Sequence, residues 1–322
     1  MVDKYKCVWD FDSPVFAAAS IGDIRYIEAH HNKSGRIKEF KNVTEFYGKG
    51  KAVGGWLGEQ KGDWEKTDFT IINCTKRNPV ISIDKMKKSI ISQIKMVEEK
   101  DFCEELRLVI GGKGNYRNDI YDDYKANRRK TPKPTQLQPL REWLASEYDV
   151  IQKDGIEADD VLGIWAKWGY NRALKSGDYK DNNICSVFID KDILQFPGWY
   201  YNPKKNHLIP TWQTEIEASR CFWEQMLIGD RSDNIPGLDD LTDEVRKGHG
   251  IKGVRGVGKT RATFLLEDCK NPLDMEEKVL YLYESYYDQF EESCWKEEFQ
   301  LNYQLLKLQD QKGVIPKYEF KV

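Results

Sequence analysis

Four carboxylates, Asp154, Glu157, Asp159 and Asp160, fall within seven positions directly ahead of the apolar run Val161, Leu162, Ile164 and Trp165. A helix starting near Glu157 would leave its first N–H groups unpaired and would welcome acids there, through capping and the helix dipole. That accounts for one or two of them. Glu157, Asp159 and Asp160 together repel one another and call for positive charge, either basic side chains or a cation. Three further acid pairs stand elsewhere: Asp10 with Asp12, Asp190 with Asp192, and Asp230 with Asp233. Each alone is ordinary turn or cap chemistry. Brought to one place they would be strongly repulsive unless divalent cations held them. With oxygen donors and no adjacent His or Cys, the expected ions are hard ones, Mg²⁺ or Mn²⁺, rather than zinc. Two such ions about 3.5–4 Å apart suit hydrolysis of a phosphodiester.

The elements that must position these acids alternate. Short β-branched runs at 5–11, 106–112, 148–152 and 184–190 read as buried strands, and three- and four-residue apolar spacing predicts helices over 84–99, 135–147 and 158–168. This is the pattern of a mostly parallel α/β sheet flanked by helices. In such a sheet functional groups collect beyond the carboxyl ends of the strands. Asp10, Asp12, Glu157, Asp159, Asp160, Asp190 and Asp192 would then share one rim, with the loop carrying Asp230 and Asp233 folded over it. Helical patterns at 217–228, 260–268, 274–290 and 293–308 predict a helical part from 216 to 322, after a sheet domain over 1–215. Residues 30–75, rich in Gly, Lys and polar groups, read as an insertion or hairpin of unassigned purpose.

The 322 residues are 40% hydrophobic, enough for a real core. No apolar stretch reaches membrane-span length and the start lacks an apolar signal core, so a cytoplasmic protein is expected. Seven cysteines without C-x-x-C spacing suggest reduced thiols. The net charge of −3 hides segregation of the two signs. Residues 116–134 carry Arg117, Lys125, Arg128, Arg129, Lys130 and Lys133 among Tyr116, Tyr121 and Tyr124. As one helix, this run would align Tyr121, Lys125 and Arg128 on a face suited to holding phosphates and stacking a base.

A second basic zone, 246–262, matches G-x-x-x-x-G-K-T at Gly253–Thr260. A phosphate-binding NTPase loop needs a buried strand before it, and what precedes is charged and Gly-rich. A tight hairpin at Gly256 and Gly258, with Lys259 and Thr260 opening a helix, fits better, its N–H groups meeting a nucleic-acid phosphate.

The ordered set VWDFD, YKANRR, GIEADDVLG, FIDKD, GDRSDNIPG and GVRGVGKTRA, from about residue 5 to 268, resembles the flap endonuclease and 5′-3′ exonuclease superfamily, in particular its bacteriophage branch. The resemblance implies a PIN-like sheet and a helical arch over 113–134. It also implies a helix-hairpin-helix element that grips duplex DNA and can hold K⁺. It implies two Mg²⁺ or Mn²⁺ ions on Asp10, Glu157, Asp159, Asp160, Asp190, Asp192, Asp230 and Asp233, with Asp10, Asp160 and Asp192 central to catalysis. Tyr124, Lys125 and Arg128 resemble arch residues that orient a 5′ end and stabilise charge on the scissile phosphate. The implied substrates are DNA 5′ ends, flaps and duplex, with RNA in RNA–DNA hybrids a further candidate. Two departures stand out: residues 238–252 lengthen the link between DNIPG and the hairpin, and the family carries an acid after the second strand of the sheet where this chain has Gly111 and Gly112, so that one metal would be held more loosely, through water, or by Asp12 instead. A catalytically impaired DNA-binding protein of the same fold is the alternative that the missing acid suggests.

Overall fold

The computed structural model describes residues 3–48, 55–60, 64–129, 131–205, 207–249, 256–290 and 294–320. The chain divides into two compact units, one made of 1–13, 94–126 and 148–322, the other of 14–93 and 127–147. The helices after residue 215 therefore belong with the main sheet and do not form a unit of their own, as the boundary at 215/216 had implied. The physical tie is visible at the end of the chain. The Arg117 guanidinium donates to the carbonyls of Leu305 (2.9 Å) and Lys307 (3.1 Å), and Gln195 donates to that of Leu306 (3.1 Å).

The first unit is built on a six-stranded sheet in the order β6-β5-β1-β7-β8-β9. Its strands are β1 (Tyr5–Asp10), β5 (Cys103–Gly111), β6 (Val150–Lys153), β7 (Ile184–Val187), β8 (Gly198–Tyr201) and β9 (Thr211–Gln213). All neighbours are parallel except β8 and β9. The four expected strands are present, whereas the last two, short and punctuated by Gly and Pro, gave no clear period. Central β1 and β7 are buried runs of Cys, Val and Ile, as strands covered on both faces must be.

The Ala158–Ser176 helix packs Val161, Leu162 and Ala166 against Val8, Val109 and Ile184 of this sheet. Each of the Val, Leu and Ile side chains contributes about 1.5–3 kcal/mol on burial. Close approach is enforced by glycine: a Cβ on Gly169 would lie 2.2 Å from Asn182 Oδ1, and one on Gly163 2.6 Å from the Gln309 carbonyl. The helix ends at Gly177, which takes the left-handed conformation (φ 77°) that glycine adopts freely. A second core joins Trp223, Met226 and Leu227 of the Glu215–Ile228 helix to Val279 and Tyr283 of Pro272–Tyr287 and Phe299 of Trp295–Leu306.

The second unit holds an antiparallel sheet of β2 (Asp23–His31), β3 (Ile37–Phe40) and β4 (Phe69–Arg77), in the order β3-β2-β4. The stretch read as an insertion or hairpin of unassigned purpose therefore contributes the end of β2, all of β3 and most of β4 to an ordered sheet, whose core is Ile27, Ala29, Phe40, Phe46 and Leu57. Among the described residues no helix is long and apolar enough to cross a membrane. All seven cysteines are free.

Candidate functional site

Four parallel strands, β1, β5, β6 and β7, end on one rim, and the acids follow from that arrangement. Asp10 closes β1, and the Asp12 N–H donates to its Oδ1 at 3.1 Å. Asp190 and Asp192 lie just beyond β7, at the start of the short 3-10 helix Lys191–Gln195. Glu157 is the N-cap of the Ala158–Ser176 helix, which places Asp159 and Asp160 in its first turn.

The pair Asp230 and Asp233 is carried by a tight turn in which Asp230 bridges Ile235. Gly229 (φ 70°) and Gly237 (φ 71°) flank it with positive φ, and a Cβ on either would fall 2.3 Å from backbone on the other side. Buried Asn302 locks the turn from outside, accepting from the Gly237 N–H (3.0 Å) and donating to its carbonyl (3.2 Å).

Glu157, Asp159, Asp192, Asp230 and Asp233 line a single cavity of about 10 Å³, together with Arg117, Tyr124 and Gln225. That is room for roughly one water-sized occupant. Burial pushes the Asp192 carboxyl up to about 7, assisted by repulsion from Asp190, Asp230 and Asp233. Asp10 also rises to about 7 through burial and then Asp12, with Asp190 and Glu157 adding to it. Asp159 is driven well above the ordinary range by burial and by Glu157 and Asp160. These shifts share their causes: the carboxylates are buried first of all, and other carboxylates of the rim then repel them. An oxygen-only set in this state fits a hard divalent cation. Among the described residues no three His, Cys, Asp or Glu side chains already form a group that could hold a metal ion. Side chains would have to turn to close on one.

Asp160 departs from the expected ligand role. It is fully buried, and its carboxylate accepts from both Arg117 terminal nitrogens (2.8 and 2.9 Å), the Glu157 N–H (3.0 Å) and the Gln309 N–H (3.0 Å). Four bonds fill the lone-pair sites of a carboxylate, leaving none for a metal. Arg117, expected to meet DNA, is 1% exposed and is the other half of this pair. The sequence could not separate the two roles, because Asp159 and Asp160 differ only in which side of the first helical turn they occupy.

The basic run is also not the continuous helix on which a shared face would depend. It contains two four-residue turns, Arg117–Ile120 and Ala126–Arg129, separated by Lys125 in a left-handed conformation (φ 54°). Tyr124 is buried, donating its hydroxyl to Glu157 (2.6 Å) and Asp233 (3.3 Å), so its ring is not presented for stacking. The Lys125 ammonium pairs with Glu157 and lies 3.4 Å from Asp233. Burial would raise the Glu157 carboxyl, yet Lys125 and Arg117 together pull it below the ordinary value. Arg128 and Arg129 are exposed and belong to the second unit. Lys130 lies outside the described residues.

At the second basic zone the helix Asp243–Gly248 stands where an NTPase loop requires a strand. Gly256 has φ 83°, Gly258 caps the Lys259–Leu265 helix, and Lys259 and Thr260 are exposed. These residues line an open groove of about 710 Å³ with Arg231 and Arg261. The intervening residues 250–255 lie outside the described residues.

Two contributors escaped the sequence reading. Gln225 donates to Asp192 (3.0 Å), and Asn302 holds the acid turn. Each is a lone amide on an otherwise apolar helical face, three residues from Phe222 and Phe299 respectively, and that interruption is the signal that could have marked them.

Residues 72–202 match the family model described as the 5′-3′ exonuclease, N-terminal resolvase-like domain. The chain is 26% identical over 218 residues to a thermostable DNA polymerase I of Thermus thermophilus, covering 65% of this chain and 24% of the polymerase. It is 28% identical over 184 residues to a 5′-3′ exonuclease of Buchnera aphidicola, covering 54% of this chain and 60% of that protein. The alignments therefore span about a quarter and under two thirds of these bacterial relatives. A solved T5 5′-exonuclease with bound zinc aligns at 16% identity and a TM-score of 0.40, over 68% of this chain and 77% of that one.

Proposed function

We propose that the protein is a metal-dependent 5′-3′ exonuclease or flap endonuclease that hydrolyses DNA phosphodiesters. The observation that carries this reading is the convergence of Glu157, Asp159, Asp192, Asp230 and Asp233 on one cavity at the carboxyl ends of parallel strands. The match of residues 72–202 to an exonuclease domain supports it independently.

Glu157, Asp159, Asp190, Asp192, Asp230, Asp233 and Asp10 would hold two hard cations, Mg²⁺ or Mn²⁺. Bound there, such ions supply Lewis-acid stabilisation of the phosphate under attack by water and of the oxygen that leaves. The rest of the work falls to the chain. Asp160, locked by Arg117, fixes the first turn of the helix and so aims Glu157 and Asp159. Gln225 and Asn302 hold Asp192 and the 230–233 turn in place. Lys125 is within reach to exchange its carboxylate partners for a phosphate. The Gly256–Thr260 segment, as part of a helix-hairpin-helix, offers backbone N–H groups and a lysine to a duplex backbone, a place where K⁺ would also be held.

DNA 5′ ends and flaps are the substrates of this reading, RNA–DNA hybrids a candidate to be assayed beside them, and phage-type replication or DNA degradation its setting. The glycine at the end of β5 favours a second reading, a DNA-binding protein of impaired catalysis. One assay separates the two. Nucleotide release from 5′-labelled duplex and flap DNA is expected with Mg²⁺ and to cease with EDTA. Binding without any release under Mg²⁺ or Mn²⁺ would favour the second.

A further inference from the structure

The antiparallel sheet of the second unit has two edges, and they differ. β3 is four residues long and carries Lys38. β4 runs for nine residues in unbroken register with β2, and its opening stretch, FTIINCT, holds neither charge nor proline. Natural sheets blunt an edge with a short strand, a lysine, a proline or a bulge, because its unpaired N–H and C=O groups are a template for another strand. β4 has none of these before Lys76.

Bonds at the flanks fix which groups point away. The Asn32 N–H donates to the Asp68 carbonyl and the Asn78 N–H to that of Gly22, both at 2.8 Å, joining the residues that flank β4 to those that flank β2. Direction alternates along an antiparallel ladder, so the even-numbered residues of β4 turn to β2, and Phe69, Ile71, Asn73, Thr75 and Arg77 turn their N–H and C=O groups outward. Among the described residues nothing bonds to those outward groups. Charge then selects the occupant. Lys76 and Arg77, the strand's only charges, sit at one end. A second copy laid parallel in register would set like charges side by side. Laid antiparallel about Asn73, it places Lys76 against Thr70 and Arg77 against Phe69, with no like charges opposed. In that register outward groups meet outward groups throughout, Asn73 facing Asn73 and Ile71 facing Thr75.

We propose that β4 is a dimerisation edge, pairing antiparallel with β4 of a second copy of this chain about a two-fold axis at Asn73. The reading is independent of the nuclease function. Light scattering after size exclusion, from micromolar to submillimolar chain, should show the mass rising from one copy to two. Asn73 is exposed and its N–H points outward, so Asn73→Pro breaks no bond of the sheet and should keep the native circular dichroism. It should weaken dimerisation by at least about tenfold, having removed the bonds at the axis. Asn73→Lys keeps the backbone and opposes like charges; it should act the same way and decides the matter if Asn73→Pro does not fold. With oxidised glutathione, Asn73→Cys should link the two copies at position 73, since opposed residues there would stand about 5.5 Å apart, within disulfide reach. Lys76→Cys, roughly 20 Å from its counterpart, should not link. Peptide mapping distinguishes these links from any made by the native cysteines. A chain that stays monomeric at every concentration overturns the proposal, including one whose outward amides gain hydrogen-exchange protection only when a foreign extended peptide is added. So does a dimer that neither Asn73→Pro nor Asn73→Lys weakens, or a link that forms as readily at 76 as at 73.

Discussion

Asp159 and Asp160 are neighbours in the chain and have opposite electrostatic fates. Asp160 faces inward to Arg117 and is saturated by four hydrogen bonds, whereas Asp159 faces the cavity, where burial and other carboxylates push it toward its protonated form. The first is a closed pair that holds structure; the second belongs to an open set whose negative charge Lys125 and Arg117 offset only in part. The difference teaches that an acidic cluster at a helix start divides its labour by the rotation of one residue, and that only the unsatisfied members are free to bind.

The largest effect should come from opening the closed pair. Arg117→Met leaves a buried carboxylate uncompensated and should lower unfolding free energy by about 3–5 kcal/mol in urea titration. Adding Asp160→Asn should recover part of that loss, since the charge is gone. An unchanged urea midpoint in Arg117→Met would mean the pair is not what holds the helix start.

Altering the open set should do the reverse. Asp192→Asn should cut nucleotide release by about 10²-fold or more while DNA binding persists. Stability should rise, and the sign can be derived. The Asp192 carboxyl has its folded pKa raised from 3.8 to about 7, so the folded state binds its proton more tightly than the unfolded chain. Its stabilisation is present below the unfolded pKa and is lost as pH climbs through about 7. In EDTA, the melting temperature of Asp192→Asn should exceed that of the unaltered protein at pH 8 and converge with it near pH 4. Mn²⁺ should narrow the gap at pH 8 by stabilising the unaltered protein. A constant difference across pH would contradict the assignment.

The smallest effect belongs to the exposed basic groove. Lys259→Ala should leave melting unchanged and reduce the slope of log affinity for duplex DNA against log salt by about one. No change in slope would remove Lys259 from the nucleic-acid contact.

The sequence made the sheet legible where β1, β5 and β7 carry short, largely apolar runs, 7–9, 108–110 and 184–187, all of which are buried. It also indicated the rim, since parallel strands bring their following residues to one edge. What it hid was partnership. Nothing local to Arg117 says that its charge is spent on Asp160, 43 positions away, or that Tyr124 turns inward to Glu157 and Asp233. The antiparallel sheet at 23–77 was obscured because β4 has polar and exposed residues out of strict alternation. The single helical face drawn through Tyr121, Lys125 and Arg128 failed between the two turns, where Tyr121 is extended (φ −145°, ψ 109°) and Lys125 has a left-handed backbone that no periodicity could forecast.

That backbone has a consequence of its own. A non-glycine residue held left-handed costs on the order of 1–2 kcal/mol, and here the strain seats an ammonium between Glu157 and Asp233. The resting rim thus carries a tethered plug. On the nuclease reading proposed above, a divalent ion held at that point would take the place of the Lys125 ammonium, and the displaced side chain would no longer be bound to the strained geometry.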